Sequence, residues 1–245
     1  MRAFVLCCVS AVFALPNLSY GKDCVVLLHG LGRSAWSMQQ IDTQLQKVGY
    51  WVVNQSYRSR ETEIERLALV VGQGLNECAK YKPQAIHFVT HSLGGILVRV
   101  YFQQQHPTQV KRIVMLGAPN HGSEIVDKYK DRWWFKWLTG SAGQQLGTEA
   151  NSLPNRLHAI PYEIGIIAGT SSSDPWFTHL FTGANDGKVS VASTKLDEMK
   201  DFIEVESGHT FMANSRHVIR QIQAFLATGA FNKTTSVSMN AKTGA

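Results

Sequence analysis

A serine, an aspartate and a histidine stand in this chain where together they could make an activated nucleophile. Ser92 lies in Thr90-His91-Ser92-Leu93-Gly94-Gly95, directly after an apolar run. A serine hydroxyl attacks poorly until a base takes its proton, and the base needs an acid to orient it. A tight turn from strand to helix would lift the hydroxyl clear of the backbone and aim the first helix amides at the same spot. Two glycines after the serine leave room for such a turn. Read alone, Ser92-Leu93-Gly94-Gly95 also suits a serine that caps a helix.

In a nucleophile elbow of this kind the acid and then the histidine follow the serine along the chain. Of nine histidines, His209 in "VESGHTFM" follows the last apolar strand-like segment, where a base is expected. His217, inside a later amphipathic segment, is the weaker alternative. Asp186 in "GANDGKVSVAST" offers a carboxylate on a short polar turn. Asn185 and Asp174 are its alternatives, the first without charge and the second a turn-former before Pro175. Acyl transfer also needs donors for a developing oxyanion. The amide of Leu93 follows the nucleophile directly. The amide of Leu31, in "HGLGRS" after the first apolar run, would be the second, with His29 orienting that loop.

The elements that must hold these residues alternate. β-branched and apolar runs at 24–30, 50–57, 85–91, 110–119, 162–170 and 202–207 read as strands. Segments 62–81, 93–105 and 215–228 carry apolar residues at helical spacing. The alternation predicts an α/β fold with a mostly parallel sheet, whose ligands bind at the carboxyl ends of the strands. Residues 120–161 break the rhythm: no strand is evident over about forty residues, far beyond an ordinary connection.

The pieces "LLHGLGRS", "VTHSLGGIL", "MLGAPNHGSE", "NDGKVSVAST" and "SGHTFM" together resemble the α/β-hydrolase superfamily, in its lipase and esterase group. They are similar to bacterial triacylglycerol lipases and to the inositol deacylase domain that acts on glycolipid anchors. Thr90 stands where that elbow usually has glycine. The resemblance implies the α/β-hydrolase fold and carboxylic-ester hydrolysis through an acyl-enzyme on Ser92, Asp186 and His209, with no cofactor and no metal. The alternatives are acyl transfer by the same triad, a peptidase or thioesterase activity, or a non-catalytic binding protein on the same fold.

Within 120–161, Trp133, Trp134, Phe135 and Trp137 crowd together with Lys128, Lys130, Arg132 and Lys136 around them. Tryptophan with cations suits a membrane interface. The segment is expected to be a lid or cap over the acyl pocket, with ester or lipid as substrate and transient contact with a lipid surface. A cap that never meets lipid, or a partner-binding surface, is the alternative. Trp36, Trp176 and Phe177 are expected near the same mouth, or else in ordinary core.

Residues 1–21 read as a signal peptide: Arg2, a short apolar core, then small residues before a cut after Gly21. Export to the periplasm or beyond follows, with a hydrolase domain over 22–228 and a disordered tail over 229–245. The full chain carries a formal charge of +6. Without Arg2 it keeps 23 cations against 18 carboxylates, about +5. That excess favours anionic surfaces. No basic stripe with interleaved aromatics supports nucleic-acid binding. Cys24 and Cys78 would remain after cleavage. Parallel neighbouring strands would put both at the amino-terminal edge of the sheet, so a Cys24–Cys78 disulfide is expected, two buried thiols being the alternative. The oligomeric state is not readable from these residues.

Overall fold

The structure is a computed structural model that describes residues 22–172 and 177–233. Six strands form one parallel sheet in the order β2-β1-β3-β4-β5-β6. They are β1 (Cys24–Leu28), β2 (Trp51–Gln55), β3 (Ile86–His91), β4 (Val110–Leu116), β5 (Glu163–Gly169) and β6 (Asp201–Val205). Each lies inside or within a residue of its expected run. The helices are α1 (Gln39–Lys47), α2 (Ile64–Leu67), α3 (Leu69–Ala79), α4 (Leu93–Tyr101), α5 (Glu124–Tyr129), α6 (Trp133–Gln144), α7 (Leu153–Arg156), α8 (Val191–Thr194) and α9 (Arg216–Thr228).

Alternate residues of each strand face opposite sides of a sheet, and the two cores divide accordingly. Val26, Leu28, Phe88, Met115 and Ile166 pack with α2–α6 on one face. Val25, Leu27, Val89, Val114 and Ile167 pack with α1 and α9 on the other. Strands buried on both faces carry the near-continuous apolar runs that made them legible. Strand order reverses between β1 and β3, so a crevice opens at their carboxyl ends. The loops bearing Leu31 and Ser92 leave from those two ends.

Two expectations change, and the strandless insertion takes a definite form. The single helix over 62–81 is two helices meeting at Ala68, and the first amide of α2 donates to the Gln145 side chain at 2.7 Å. The insertion is helical, built of α5, α6 and α7. Residues 229–233 pack onto the domain: Phe231 is buried, its amide donates to Asp201 at 2.7 Å, and its ring lies 5.0 Å from that of Phe225. The rest of the expected tail, and the expected signal peptide, lie outside the described residues.

Both ends of the insertion are fastened by one side chain. Arg99 on α4 is buried, and its guanidinium donates to the carbonyls of Asn120 (2.9 Å) and Leu157 (3.1 Å). Burial, partly offset by Glu198, lowers its pKa to about 10. At the other end of the sheet Cys24 and Cys78 form a disulfide, their Cα atoms 5.8 Å apart, as expected.

Candidate active site

Ser92 is the hinge between β3 and α4. Its φ of 54° and ψ of −120° are strained for a residue with a side chain, and such strain survives only where the surroundings impose it. The Ser92 amide donates to Leu116 of β4 at 2.8 Å. Helix α4 then passes so close to the sheet that a Cβ on Gly94 would sit 2.7 Å from the Leu28 carbonyl oxygen, and one on Gly95 2.7 Å from the Ala118 side chain. This contact explains the two glycines.

Asp186 and His209 meet from different turns. His209 Nδ1 lies 2.7 Å from Asp186 Oδ2, and both residues are buried. The other carboxylate oxygen accepts from the amides of Lys188 (3.0 Å) and Val189 (2.8 Å). The His209 amide also donates to the Asp186 carbonyl at 2.9 Å. Two backbone donors fix the carboxylate, so its remaining oxygen can hold the imidazole in one tautomer. Asn185 instead shapes the turn: its side chain accepts from Gly187 and donates to Gly183. His217 sits on α9 away from this cavity. Asp174 and Trp176 lie outside the described residues.

Ser92, His209, Leu31 and Thr210 line one cavity of about 360 Å³. Its remaining wall includes Ile125 and Val126 of α5 and Trp134, Phe135 and Leu138 of α6, with Phe177 and Val189. Leu93 is fully buried at the start of α4. Trp36 does not line the cavity and is 82% exposed; Trp133 and Trp137, one turn apart on α6, are 79% and 76% exposed. Phe135 points inward and is buried.

The loop after β1 is held from the segment that follows β2. The His29 ring stacks on Tyr57 with centroids 4.0 Å apart, the Tyr57 hydroxyl donates to the His29 carbonyl, and the Gly32 amide donates to Ser59 at 2.8 Å. Burial lowers the His29 pKa, so its ring acts here as a neutral brace.

Two neighbours of the site were not singled out by the sequence. Gly117, at the end of β4, has φ +53°, and a Cβ there would lie 2.8 Å from Asp186 Oδ2 and 3.2 Å from His209 Nδ1. Its only signal was a Gly-Ala-Pro at a strand end. His91 is buried beside Ser92, and burial with His209 nearby drops its pKa to about 3. No group of His, Cys, Asp and Glu among the described residues is arranged to hold a metal ion.

The fold has close counterparts. A mature lipase of Bacillus licheniformis, BlEst2, superposes with a TM-score of 0.72 at 19% identity, over 85% of this chain and 92% of that one. A metagenomic carboxyl esterase, MGS0156, gives 0.62 at 17%, over 78% and 65%. The lin2722 product of Listeria innocua gives 0.58 at 17%, over 84% and 94%. At such identities the likeness is one of fold, and that fold is the α/β-hydrolase fold. No curated protein sequence matches. The family model for palmitoyl protein thioesterase matches residues 24–157, from β1 through the elbow to the end of α7. That span is more than half of the chain, which therefore belongs to the palmitoyl protein thioesterase family of α/β-hydrolases.

Proposed function

We propose that this protein is a serine hydrolase that cleaves acyl esters through Ser92, His209 and Asp186. The observation that carries the reading is that His209, held by buried Asp186, lines the same cavity as Ser92 on its strained elbow. His209 takes the Ser92 proton, and Ser92 Oγ attacks the acyl carbonyl. The amides of Leu31 and Leu93 receive the oxyanion. His209 then gives its proton to the leaving group, and water repeats the sequence to release the acid. The apolar wall from α5 and α6 receives the acyl chain, and the helices of 120–161 form the cap over it.

Family membership favours a thioester as a second substrate type. The machinery is the same, and a thiol leaves with less need of the His209 proton. The exposed Trp133 and Trp137 beside Arg132 and Lys136 support contact with a lipid surface. The disulfide supports an oxidising, exported setting. Among the described residues no helix is long and apolar enough to cross a membrane.

The test is reaction with a fluorophosphonate probe read by intact mass, beside Ser92→Ala. One adduct per chain, lost in the variant, is expected. Ester turnover should fall by at least about 10³-fold in Ser92→Ala with the fold intact. A folded wild-type protein that takes no adduct, with or without detergent, overturns the reading.

A further inference from the structure

The loop after β1 is clamped around one amide. The Arg33 amide closes a turn onto the Gly30 carbonyl at 3.2 Å, and Gly32 within it has φ +67°, the backbone that a type II turn needs at its third residue. The central peptide of the turn joins Leu31 to Gly32, and its N–H donates to Ser59 Oγ at 2.8 Å. Leu31 thus has the peptide after it fixed, while its own amide meets no hydrogen-bond acceptor among the described residues. Its side chain is held as well: a Cβ on Gly143 of α6 would lie 3.1 Å from Leu31 Cδ2. Ser59 is buried, on a segment anchored to both sides. On one side the Tyr57 hydroxyl donates to the His29 carbonyl. On the other, the Arg60 carbonyl oxygen fits the kink of α6, 1.9 Å from where a Cβ on Gly140 would be. Gln145 then accepts from the Ile64 amide at 2.7 Å and donates to Glu65 at 2.8 Å.

Resting on the hydrolase reading above, we propose that Ser59 is a positioning residue for the oxyanion donor: by holding the Leu31–Gly32 peptide it keeps the Leu31 amide aimed at the oxyanion formed beside Ser92. Ser59 does not line the cavity and touches no reacting atom. Turns of types I and II differ by rotation of their central peptide, so a turn that loses its hold on that peptide can rotate it. An oxyanion donor works by being in place before charge develops, with no reorganisation at that moment. A hydroxyl that fixes the turn therefore lowers the barrier without adding to substrate binding.

The experiment compares wild type with Ser59→Ala, Ser59→Thr and Ser59→Val, well below their unfolding temperatures. Threonine keeps the acceptor, and valine has the same shape without it. Each protein is assayed for kcat and KM on dissolved p-nitrophenyl butyrate. Inhibition is measured with octyl trifluoromethyl ketone and with the alcohol made by its reduction. The ketone takes Ser92 Oγ at its carbonyl carbon, the Ser92 proton passes to His209, and the carbonyl oxygen becomes the oxyanion; the alcohol fills the pocket without reacting. Ser59→Ala and Ser59→Val should lower kcat about tenfold with little change in KM, less than the roughly 10²–10³-fold loss on deleting a donor outright, because the Leu31 amide remains. The ketone should bind about tenfold more weakly to both, the alcohol equally well, and Ser59→Thr should stay near wild type on every reading. If Ser59→Ala does not fold, the threonine–valine pair decides. Wild-type kcat in Ser59→Ala, equal losses in the threonine and valine variants, or a loss of kcat that leaves ketone binding unmoved overturns the proposal while the hydrolase reading stands. A wild-type chain that neither turns over the ester nor takes the fluorophosphonate sinks both.

Discussion

The ring of His91 holds the main chain of His209: His91 Nε2 lies 2.9 Å from the His209 carbonyl oxygen, with the two ring centroids 4.8 Å apart. A carbonyl only accepts, so Nε2 carries the hydrogen. With a pKa near 3, the ring stays neutral through the working range. The residue before Ser92 thus fixes the loop of His209. His91→Phe should lower kcat about tenfold with little change in KM, the worth of one buried hydrogen bond. His91→Gln, which can still donate, should recover most of that loss. Equal losses in both variants would show that the ring merely fills space.

Gly117 is the floor under the acid–base pair. A methyl there would press within 2.8 Å of Asp186 Oδ2 on a backbone of φ +53°. Gly117→Ala should therefore cost activity by about 10²-fold or more through displacement of His209, since misplacement of about an ångström in a catalytic group has that effect. The adduct rate with fluorophosphonate reads it directly. An unchanged rate in a folded variant contradicts the placement.

The strands and the disulfide were readable because buried parallel strands are apolar throughout and neighbours in register bring Cys24 to the same edge as the end of α3. Ser92, Asp186 and His209 were singled out from their turns and order, and the structure pairs His209 with Asp186 and sets Ser92 and His209 on one cavity wall. Gly117, His91 and Arg99 were not, because their roles lie in partners far along the chain: Asp186, His209 and Leu157 respectively. The helices of the insertion escaped for a related reason. The inward faces of α5 and α6 are set by the cavity they line, and the amide that starts α2 is held by Gln145 of a distant segment.

Arg99 joins the two ends of that insertion to α4, the helix that follows Ser92. Arg99→Met should keep much of the volume but leave the Asn120 and Leu157 carbonyls without this donor, costing roughly 2–4 kcal/mol. Urea unfolding should show a lower midpoint with little change in slope. Proteolysis should cut first within 120–161. Cleavage that begins elsewhere, at wild-type stability, speaks against the pin.

Acid should unfold this protein earlier than its surface charges suggest. His29, His87 and His91 all have pKa values lowered first by burial, that of His91 to about 3. Above pH 6.5 these groups are neutral in both states and contribute no pH dependence. As pH falls below 6.5 the unfolded chain binds protons that the native state refuses, so stability drops, for His91 until about pH 3. Glu163, held low first by Lys200 and also by Arg112, acts in the same direction below its ordinary 4.5. Urea midpoints measured from pH 7.5 to 4 should fall steadily, and His91→Gln should flatten the slope. A midpoint independent of pH over that range contradicts the burial of these rings.

Several exposed aromatics lie on or next to segments that line the cavity. Trp133 and Trp137 stand one turn apart on α6, whose Trp134 and Leu138 face the cavity. Phe211, 62% exposed, follows Thr210 of the cavity wall, and the turn after it packs against the short turn that carries Trp36. Water gains nothing from contact with such rings, whereas an interfacial bilayer layer accommodates both their apolar bodies and the nearby Arg132 and Lys136. Vesicles containing anionic lipid should bind the protein and shift its tryptophan emission to the blue, less so at high salt. Trp133→Ala with Trp137→Ala should weaken that binding at least about tenfold, given the area each indole would bury. Hydrolysis of a dissolved short-chain ester should change far less, because neither indole lines the cavity. Equal loss on dissolved and vesicle substrates would place these tryptophans in the stability of the cap and not on a membrane.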